Sequence, residues 1–198
     1  MLTVASSYLR SAFDTCVSNG CSKQELLKIV PGGAAALENP LSRLPRKSFI
    51  DMLHKAEEML GETGIGVRVG HNFRPTTFFD FGSGLMACAT LREAMAFNAK
   101  YQAVNQQLGK AKLIVNGTSA IVAWDTPDEP DYMRPATEAV FAGYVRMGKW
   151  LTWTQDSKLL SMRFRHGRPD HADLVEEVYE CPILYNHCLL YTSDAADE

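Results

Sequence analysis

The chain has 198 residues, of which 46% are hydrophobic and 22% are charged, and its formal net charge is −3. These values are typical of one folded domain with a sizeable hydrophobic core. They argue against a nucleic-acid-binding surface, which needs clustered lysine and arginine, and against a membrane span, which needs ~20 consecutive apolar residues. Five irregularly spaced cysteines and an N-terminus without a secretion signal favour reduced thiols in a cytoplasmic protein.

The N-terminal third of the chain is predicted to be helical. Thr3 is the expected cap of a first helix, which Gly20 ends. Ser22 and Glu25 have the spacing of a capping box for a short second helix. Pro45 suits the first turn of a third helix, where its missing N–H costs nothing. The apolar residues of that helix recur at helical spacing: Phe49, Met52, Leu53, Ala56, Met59 and Leu60.

The middle of the chain contains a looser segment followed by a long helix. Val67 and Val69 lie in a short helix or an extended turn. Residues 78–89 are rich in aromatic and small side chains, and their glycines permit helices to approach closely. Thr90 and Glu93 form a second capping box, which begins the long helix.

The next segments predict a β-hairpin, a loop and a helix. Residues 113–116 and 119–124 alternate between apolar and polar side chains, and Asn116-Gly117 between them is a strong hairpin signal. Residues 126–135 read as a polar, proline-bounded loop. A helix is expected from residue 136 to about residue 153.

The last segments predict a strand, a charged turn, a short helix and a second strand. Residues 160–164 alternate as a half-buried strand does, and residues 166–169 (HGRP) break it. Asp170 is the expected helix N-cap, and Cys181-Pro182 stops the helix because proline disfavours the helical conformation in the residue before it. Residues 183–185 are the second strand. The helix buries one apolar face: Leu174, Val175, Val178 and Tyr179.

Together these elements predict an α+β domain. A helix-rich N-terminal half is followed by a β-hairpin, a helix, a strand, a helix and a strand, which are expected to form a small, mostly antiparallel sheet packed on helices.

The final segment carries a resemblance to a known family. A strand ending in F-x-H, a P-x-x-A-D turn, a helix and a closing Cys-Pro-Ile strand resemble the end of the N-terminal regulatory (arabinose-binding-type) domain of AraC/XylS-family transcriptional regulators. Three more segments are similar to that family and occur in its order: Leu44-Pro45, residues 64–70 (GIGVRVG) and residues 90–101 (TLREAMAFNAKY). The similarity spans residues 3–186.

The resemblance implies a ligand-sensing and dimerisation domain rather than an enzyme. It implies a small-molecule effector of unspecified identity, a homodimer, and promoter DNA bound only through a C-terminal helix-turn-helix module that is missing from this chain. No cofactor, metal or membrane is expected. Residues 188–198 (CLLYTSDAADE) match the translation of a transposase adapter used to prepare sequencing libraries. We therefore expect a sensing domain over residues 1–187, truncated before the helix-turn-helix module, and a non-native tail over residues 188–198.

Several motifs could carry chemistry. Cys16 and Cys21 lack the second pair that zinc sites normally bring. His166 and His171 flank the HGRPD turn, where an acid–base or metal cluster is possible but a structural turn is favoured. The glycine-rich residues 61–70 follow a helix rather than a strand, so they do not form a phosphate-binding loop.

The predicted long helix suggests a ligand site because its inner face is unusually polar. It carries Asn98, Tyr101, Gln102 and Asn105. Trp150 and Trp153, at the end of the later helix, would supply an aromatic wall. The sequence therefore predicts ligand contacts by Asn98, Tyr101, Asn105 and Trp150. In the alternative interpretation the amides are solvated and Trp150 belongs to the core.

Two other functions stay open at this point. One is a stand-alone small-molecule or haem-type sensor without DNA binding, in which His71 or His54 would ligate haem iron. The other is a small enzyme, against which the absence of a catalytic constellation argues.

Overall fold

A computed structural model describes residues 1–117, 119–152 and 159–187, and it confirms the α+β architecture. The helices are α1 (Ser6–Ser18), α2 (Lys23–Leu27), α3 (Gly33–Glu38), α4 (Arg46–Leu60), α5 (Ile65–His71), α6 (Phe79–Met86), α7 (Leu91–Asn105), α8 (Pro130–Thr152) and α9 (Ala172–Tyr179), with a 3₁₀ turn at Pro75–Phe78. The strands are β1 (Thr3–Ala5), β2 (Arg43–Pro45), β3 (Lys110–Asn116), β4 (Ser119–Asp125), β5 (Met162–Arg163) and β6 (Ile183–Leu184). None of the described helices is both long and apolar enough to cross a membrane.

The described strands form three separate two-stranded sheets, not the single small sheet that the sequence predicted. The β3–β4 hairpin is antiparallel, as expected, and Gly117 in its turn has a positive φ of 55°. The β5–β6 pair is parallel. Its two strands are joined through α9, and such a helical crossover is the connection that parallel strands require.

The prediction that Thr3 caps the first helix is wrong. Thr3 lies in β1, which pairs antiparallel with β2, and α1 begins at Ser6. The side chain of Gln107 holds Thr3 in place, since its Oε1 accepts hydrogen bonds from the Thr3 N–H at 2.9 Å and from the Thr3 hydroxyl at 3.1 Å. This contact spans more than a hundred residues of sequence, so local spacing gave no sign of it.

The two predicted capping residues lie where expected. The Ser22 hydroxyl accepts a hydrogen bond from the Glu25 N–H at 3.4 Å, and the Thr90 hydroxyl accepts one from the Glu93 N–H at 3.1 Å. The Glu93 carboxylate in turn accepts one from the Ala89 N–H at 2.9 Å. These contacts use backbone donors that no helical carbonyl can satisfy.

Two predicted helix starts are wrong. Helix α8 begins at Pro130 rather than at residue 136, because proline is tolerated in a first turn, and Pro135 lies inside the helix. Helix α9 begins at Ala172, with His171 rather than Asp170 at the N-cap position. The His171 side chain is held between Thr63, in the loop after α4, and Glu138 of α8, so contacts distant in sequence, not a local cap, fix this start. Trp153 lies outside the described residues.

The backbones of α5 and α8 touch at two glycines. A Cβ atom on Gly66 would lie 2.1 Å from the Pro135 carbonyl oxygen, and one on Gly70 would lie 2.2 Å from the Ala139 carbonyl oxygen. Both distances are far shorter than a van der Waals contact. Only glycine therefore permits α5 to cross α8 this closely.

We predict that Gly66→Ala lowers the free energy of unfolding by about 1–3 kcal/mol, because the added methyl group forces the two backbones apart. Gly148→Ala is the matched control. Gly148 lies in α8, and a Cβ atom added there would have nothing within 4 Å, so this change should be neutral or stabilise by about 0.5–1 kcal/mol. Urea unfolding followed by circular dichroism measures both. A Gly66→Ala variant as stable as the parent protein would contradict the packing described.

Candidate functional site

A cavity that is partly open to solvent lies between α6, α7, α8 and strand β4, and the inner face of α1 reaches it. Its walls are mostly apolar, which is typical of small-molecule sites. The apolar side chains come from these elements, from the 3₁₀ turn and from the loop that precedes it: Phe73, Phe78, Phe81, Leu85, Leu91, Ala94, Met95, Val122, Val140, Met147 and Leu151. None of the described residues that form the walls carries a charged side chain.

A chain of hydrogen bonds runs along one wall and joins α7 to α8. The Asn98 side-chain amide donates to the Tyr144 hydroxyl at 3.2 Å, and that hydroxyl donates to the side-chain oxygen Oε1 of Gln102 at 3.5 Å. The Gln106 amide donates to the same Gln102 oxygen at 3.3 Å. Burial raises the pKa of Tyr144 to about 12, so its hydroxyl stays protonated at physiological pH.

Two buried polar groups in the walls have no partner among the described residues. As whole residues Tyr8 is 3% exposed and Asn105 is 6% exposed, and neither the Tyr8 hydroxyl nor the Asn105 side-chain amide makes a hydrogen bond there, while both groups keep some accessible surface. Burial raises the pKa of Tyr8 well above its usual value, so the hydroxyl remains a donor. Because buried polar groups in proteins are nearly always paired, these two are the groups most available to a bound molecule.

The cavity is small. It offers about 80 Å³ to the centres of water molecules. One enclosed water needs roughly 10–15 Å³ by that measure, so the space holds several waters or one compact organic molecule.

The structure brings some of the predicted ligand residues together and leaves others apart. Asn98 and Asn105 line the cavity, as does Gln102. Tyr101 is 41% exposed and packs on Phe97, with ring centroids 4.8 Å apart, and it does not line the cavity. Trp150 is 39% exposed, with the Arg146 guanidinium 6.0 Å from its ring centroid. The aromatic wall is built by phenylalanines, and whether any of these residues binds a ligand stays a prediction.

The sequence did not reveal that two tyrosines line the cavity. Tyr8 belongs to the apolar stripe of α1, and Tyr144 belongs to the inner side of α8, so both read as core residues. A core tyrosine and a cavity tyrosine have the same helical spacing. Only the three-dimensional packing distinguishes them.

A second polar cluster is buried on the other side of α8, around Glu138. The His171 Nε2 lies 3.0 Å from both carboxylate oxygens of Glu138, and its Nδ1 lies 2.7 Å from the Thr63 hydroxyl. Arg134 donates to Glu57 at 2.6 Å and approaches Glu138 at 3.5 Å. These contacts tie the HGRPD turn to α4 and α8, and both nitrogens of His171 are paired, which supports the structural interpretation of this turn.

Of the two histidines at the turn, His166 makes fewer hydrogen bonds through its ring nitrogens. Its Nδ1 donates to the Gly167 carbonyl at 2.8 Å, whereas its buried Nε2 has no partner among the described residues and lies 3.7 Å from Glu138. Burial lowers the pKa of His166. Within the described ranges no group of three or more histidine, cysteine, aspartate or glutamate side chains is arranged so that it could hold a metal ion.

The cysteines and the proposed haem ligands lie away from the cavity. Burial raises the pKa of Cys16 to about 12, which keeps its thiol protonated and unreactive. The His54 Nε2 bonds to the Tyr132 carbonyl at 2.9 Å, and neither His54 nor His71 lines the cavity. The haem hypothesis therefore receives no support from the geometry.

We predict that His166→Phe flattens the pH dependence of stability below neutral pH. An unfolded histidine titrates near 6.5, whereas buried His166 binds a proton only at lower pH. The unfolded chain then binds more protons, so stability is complete above about pH 6.5 and falls as pH drops through the folded pKa. Phenylalanine keeps the ring packing on Phe164 but cannot titrate.

Thermal unfolding at neutral pH and at about pH 5.5 measures this effect. The His187→Phe variant, in which an exposed histidine is replaced, is the control. Burial also lowers the pKa of His71, so His166→Phe should reduce the pH dependence without abolishing it. An unchanged pH dependence in His166→Phe would contradict a buried, neutral His166.

Comparison with protein families identifies the family of this chain. The model of the arabinose-binding domain of AraC transcription regulators, an N-terminal domain, matches residues 20–188. No individual curated protein matches the chain. The family is a regulatory, ligand-binding one rather than an enzyme family. Since the match covers most of the 198 residues, the chain belongs to the family of N-terminal arabinose-binding domains of AraC transcription regulators.

Proposed function

We propose that the cavity is the effector site of a sensing domain, formed by residues 1–187, in an AraC-type transcription regulator. The observation that carries this proposal is a mostly apolar cavity in which the polar groups of two largely buried residues, Tyr8 and Asn105, have no hydrogen-bond partner among the described residues. Such groups cost free energy while they are unpaired, and a ligand that pairs them recovers it. Membership in a ligand-sensing family supports the same conclusion.

The proposal assigns effector contacts to Asn98 and Asn105 among the residues that the sequence singled out. Tyr8 and Tyr144 join them because both line the cavity. Tyr101 and Trp150 are left out because they lie on the outer surface.

Effector binding would be transmitted through the helices that form the cavity. The Asn98–Tyr144 hydrogen bond joins α7 to α8, so a ligand that inserts there changes how these helices pack. The C-terminal end of α7 is in turn held to β2, since the Arg43 guanidinium donates to the carbonyls of Ala103, at 3.1 Å, and Val104. An effector with higher affinity for one packing shifts the population toward it.

The regulator that we propose is a cytoplasmic homodimer that binds promoter DNA through a module outside these 198 residues. A dimer holds two DNA-binding modules at a spacing that matches two half-sites. The net charge of −3 supports this division of labour, because phosphate contacts need clustered positive charge.

We predict that this chain alone does not shift promoter DNA in a gel, whereas the protein encoded by the uninterrupted gene does. We also predict that overproducing the chain inhibits the complete regulator in a promoter reporter, because mixed dimers carry only one DNA-binding module. The Gly66→Ala variant is the control, since a poorly folded domain should inhibit less.

Two outcomes would contradict the proposed function. Specific promoter binding by this chain alone would place DNA recognition inside it. Absence of any inhibition by the well-folded chain, at a level above that of the complete regulator, would argue against dimerisation through this domain.

A further inference from the structure

We infer that the effector is an uncharged, compact molecule with an apolar body and one hydroxyl or primary amide group. This inference rests on the proposed function, because it names the chemistry of the molecule that occupies the same cavity. Three observations lead to it: the charge of the walls, the hydrogen-bonding capacity left unused, and the size of the space.

The walls offer nothing to pair with an ion. No charged side chain of α8 lines the cavity, and two of them are paired elsewhere: Arg134 with Glu57, and Glu138 with His171. The residues that α8 gives to the cavity are uncharged, among them Val140 and Met147. A carboxylate or ammonium group would lose its hydration on entering and gain no counter-charge, which is costly.

The unused polar groups include both donors and acceptors. The Asn105 amide offers two N–H donors and one carbonyl acceptor, and the Tyr8 hydroxyl offers one donor and its lone pairs. An ether or ketone satisfies donors alone. A hydroxyl or a primary amide both donates and accepts, so it pairs with the groups that the cavity leaves free.

The size of the cavity limits the apolar body. An enclosed cavity of about 150 Å³ accepts a benzene ring, and this one offers about 80 Å³. A short or branched aliphatic body suits this space better than an aromatic ring. Met95 and Met147 line it, and flexible methionine side chains adapt to such bodies.

Two isosteric pairs of small probes test the inference. Propionamide is compared with propionate, and isobutanol is compared with isobutylammonium. Within each pair the two molecules have the same number of heavy atoms and differ in charge. Titrations at neutral pH use protein labelled with ¹³C at the methionine methyl groups. Met95 and Met147 report on the cavity, and Met52 and Met59 of α4, which do not line it, serve as internal references.

We predict that both neutral probes shift the Met95 and Met147 signals, with affinities at least about tenfold higher than those of their charged partners. Met52 and Met59 should not shift. Tyr8→Phe and Asn105→Leu should each weaken binding of propionamide by about tenfold without lowering the melting temperature, because each removes a buried polar group that is unpaired in the free protein. Tyr132→Phe, at an exposed tyrosine, should change neither property.

Three results would overturn the inference. The first is that the charged probe of either pair binds as tightly as its neutral partner or more tightly. The second is that the probes shift the signals of Met52 or Met59 instead of those of Met95 and Met147. The third is that neither neutral probe binds at concentrations up to about 100 mM. Tight binding of a charged probe at Met95 and Met147 would leave the cavity as the effector site and contradict only its chemistry. If this chain alone shifts promoter DNA, or does not inhibit the complete regulator, while the neutral probes still bind, the regulatory role is contradicted and the inferred chemistry of the cavity still holds.

Discussion

The close crossing of α5 and α8 at Gly66 and Gly70 sets the position of the helix on which the rest of the domain depends. Helix α8 separates the mostly apolar cavity from the charged cluster around Glu138. One face turns Tyr144 and Met147 toward the cavity, and the other turns Glu138 toward Arg134 and the histidines of the last turn. A shift of α8 would therefore change the cavity and the anchorage of the C-terminal segment together. In the regulator that we propose, this coupling would be a physical basis for sensing, because α9 and β6 are the last described elements of the sensing domain.

The cluster around Glu138 and the cavity differ in the charge and the hydrogen bonding of their polar groups. Around Glu138 the charged groups have partners at hydrogen-bonding distance, so that cluster holds helices together. In the cavity the charges are absent among the described wall residues, and neutral groups on Tyr8 and Asn105 are left unpaired. Unpaired neutral groups beside apolar walls cost less than unpaired charges but still favour a bound molecule. The strong electrostatic interactions around Glu138 therefore stabilise the fold, whereas the neutral polar groups of the cavity are available for the recognition that we propose.

Local signals in the sequence predicted much of the fold. The caps at Ser22 and Thr90, and the Asn116-Gly117 turn, depend on neighbouring residues, so spacing alone revealed them. The features that were missed depend on distant contacts. Thr3 is held by Gln107, and the start of α9 is fixed by Glu138. The candidate site followed the same rule: Asn98 and Asn105 were found because amides are unusual on an inward helix face, whereas Tyr8 looked like any core residue.

The central claim is that the cavity between α7 and α8 receives the effector. The most direct measurement is a crystal structure of the domain grown with propionamide. The account predicts electron density for the amide inside the cavity, within hydrogen-bonding distance of the Asn105 side chain and the Tyr8 hydroxyl. Density only at the polar surface cleft beside Arg10 and Arg74, with the cavity unchanged, would contradict it.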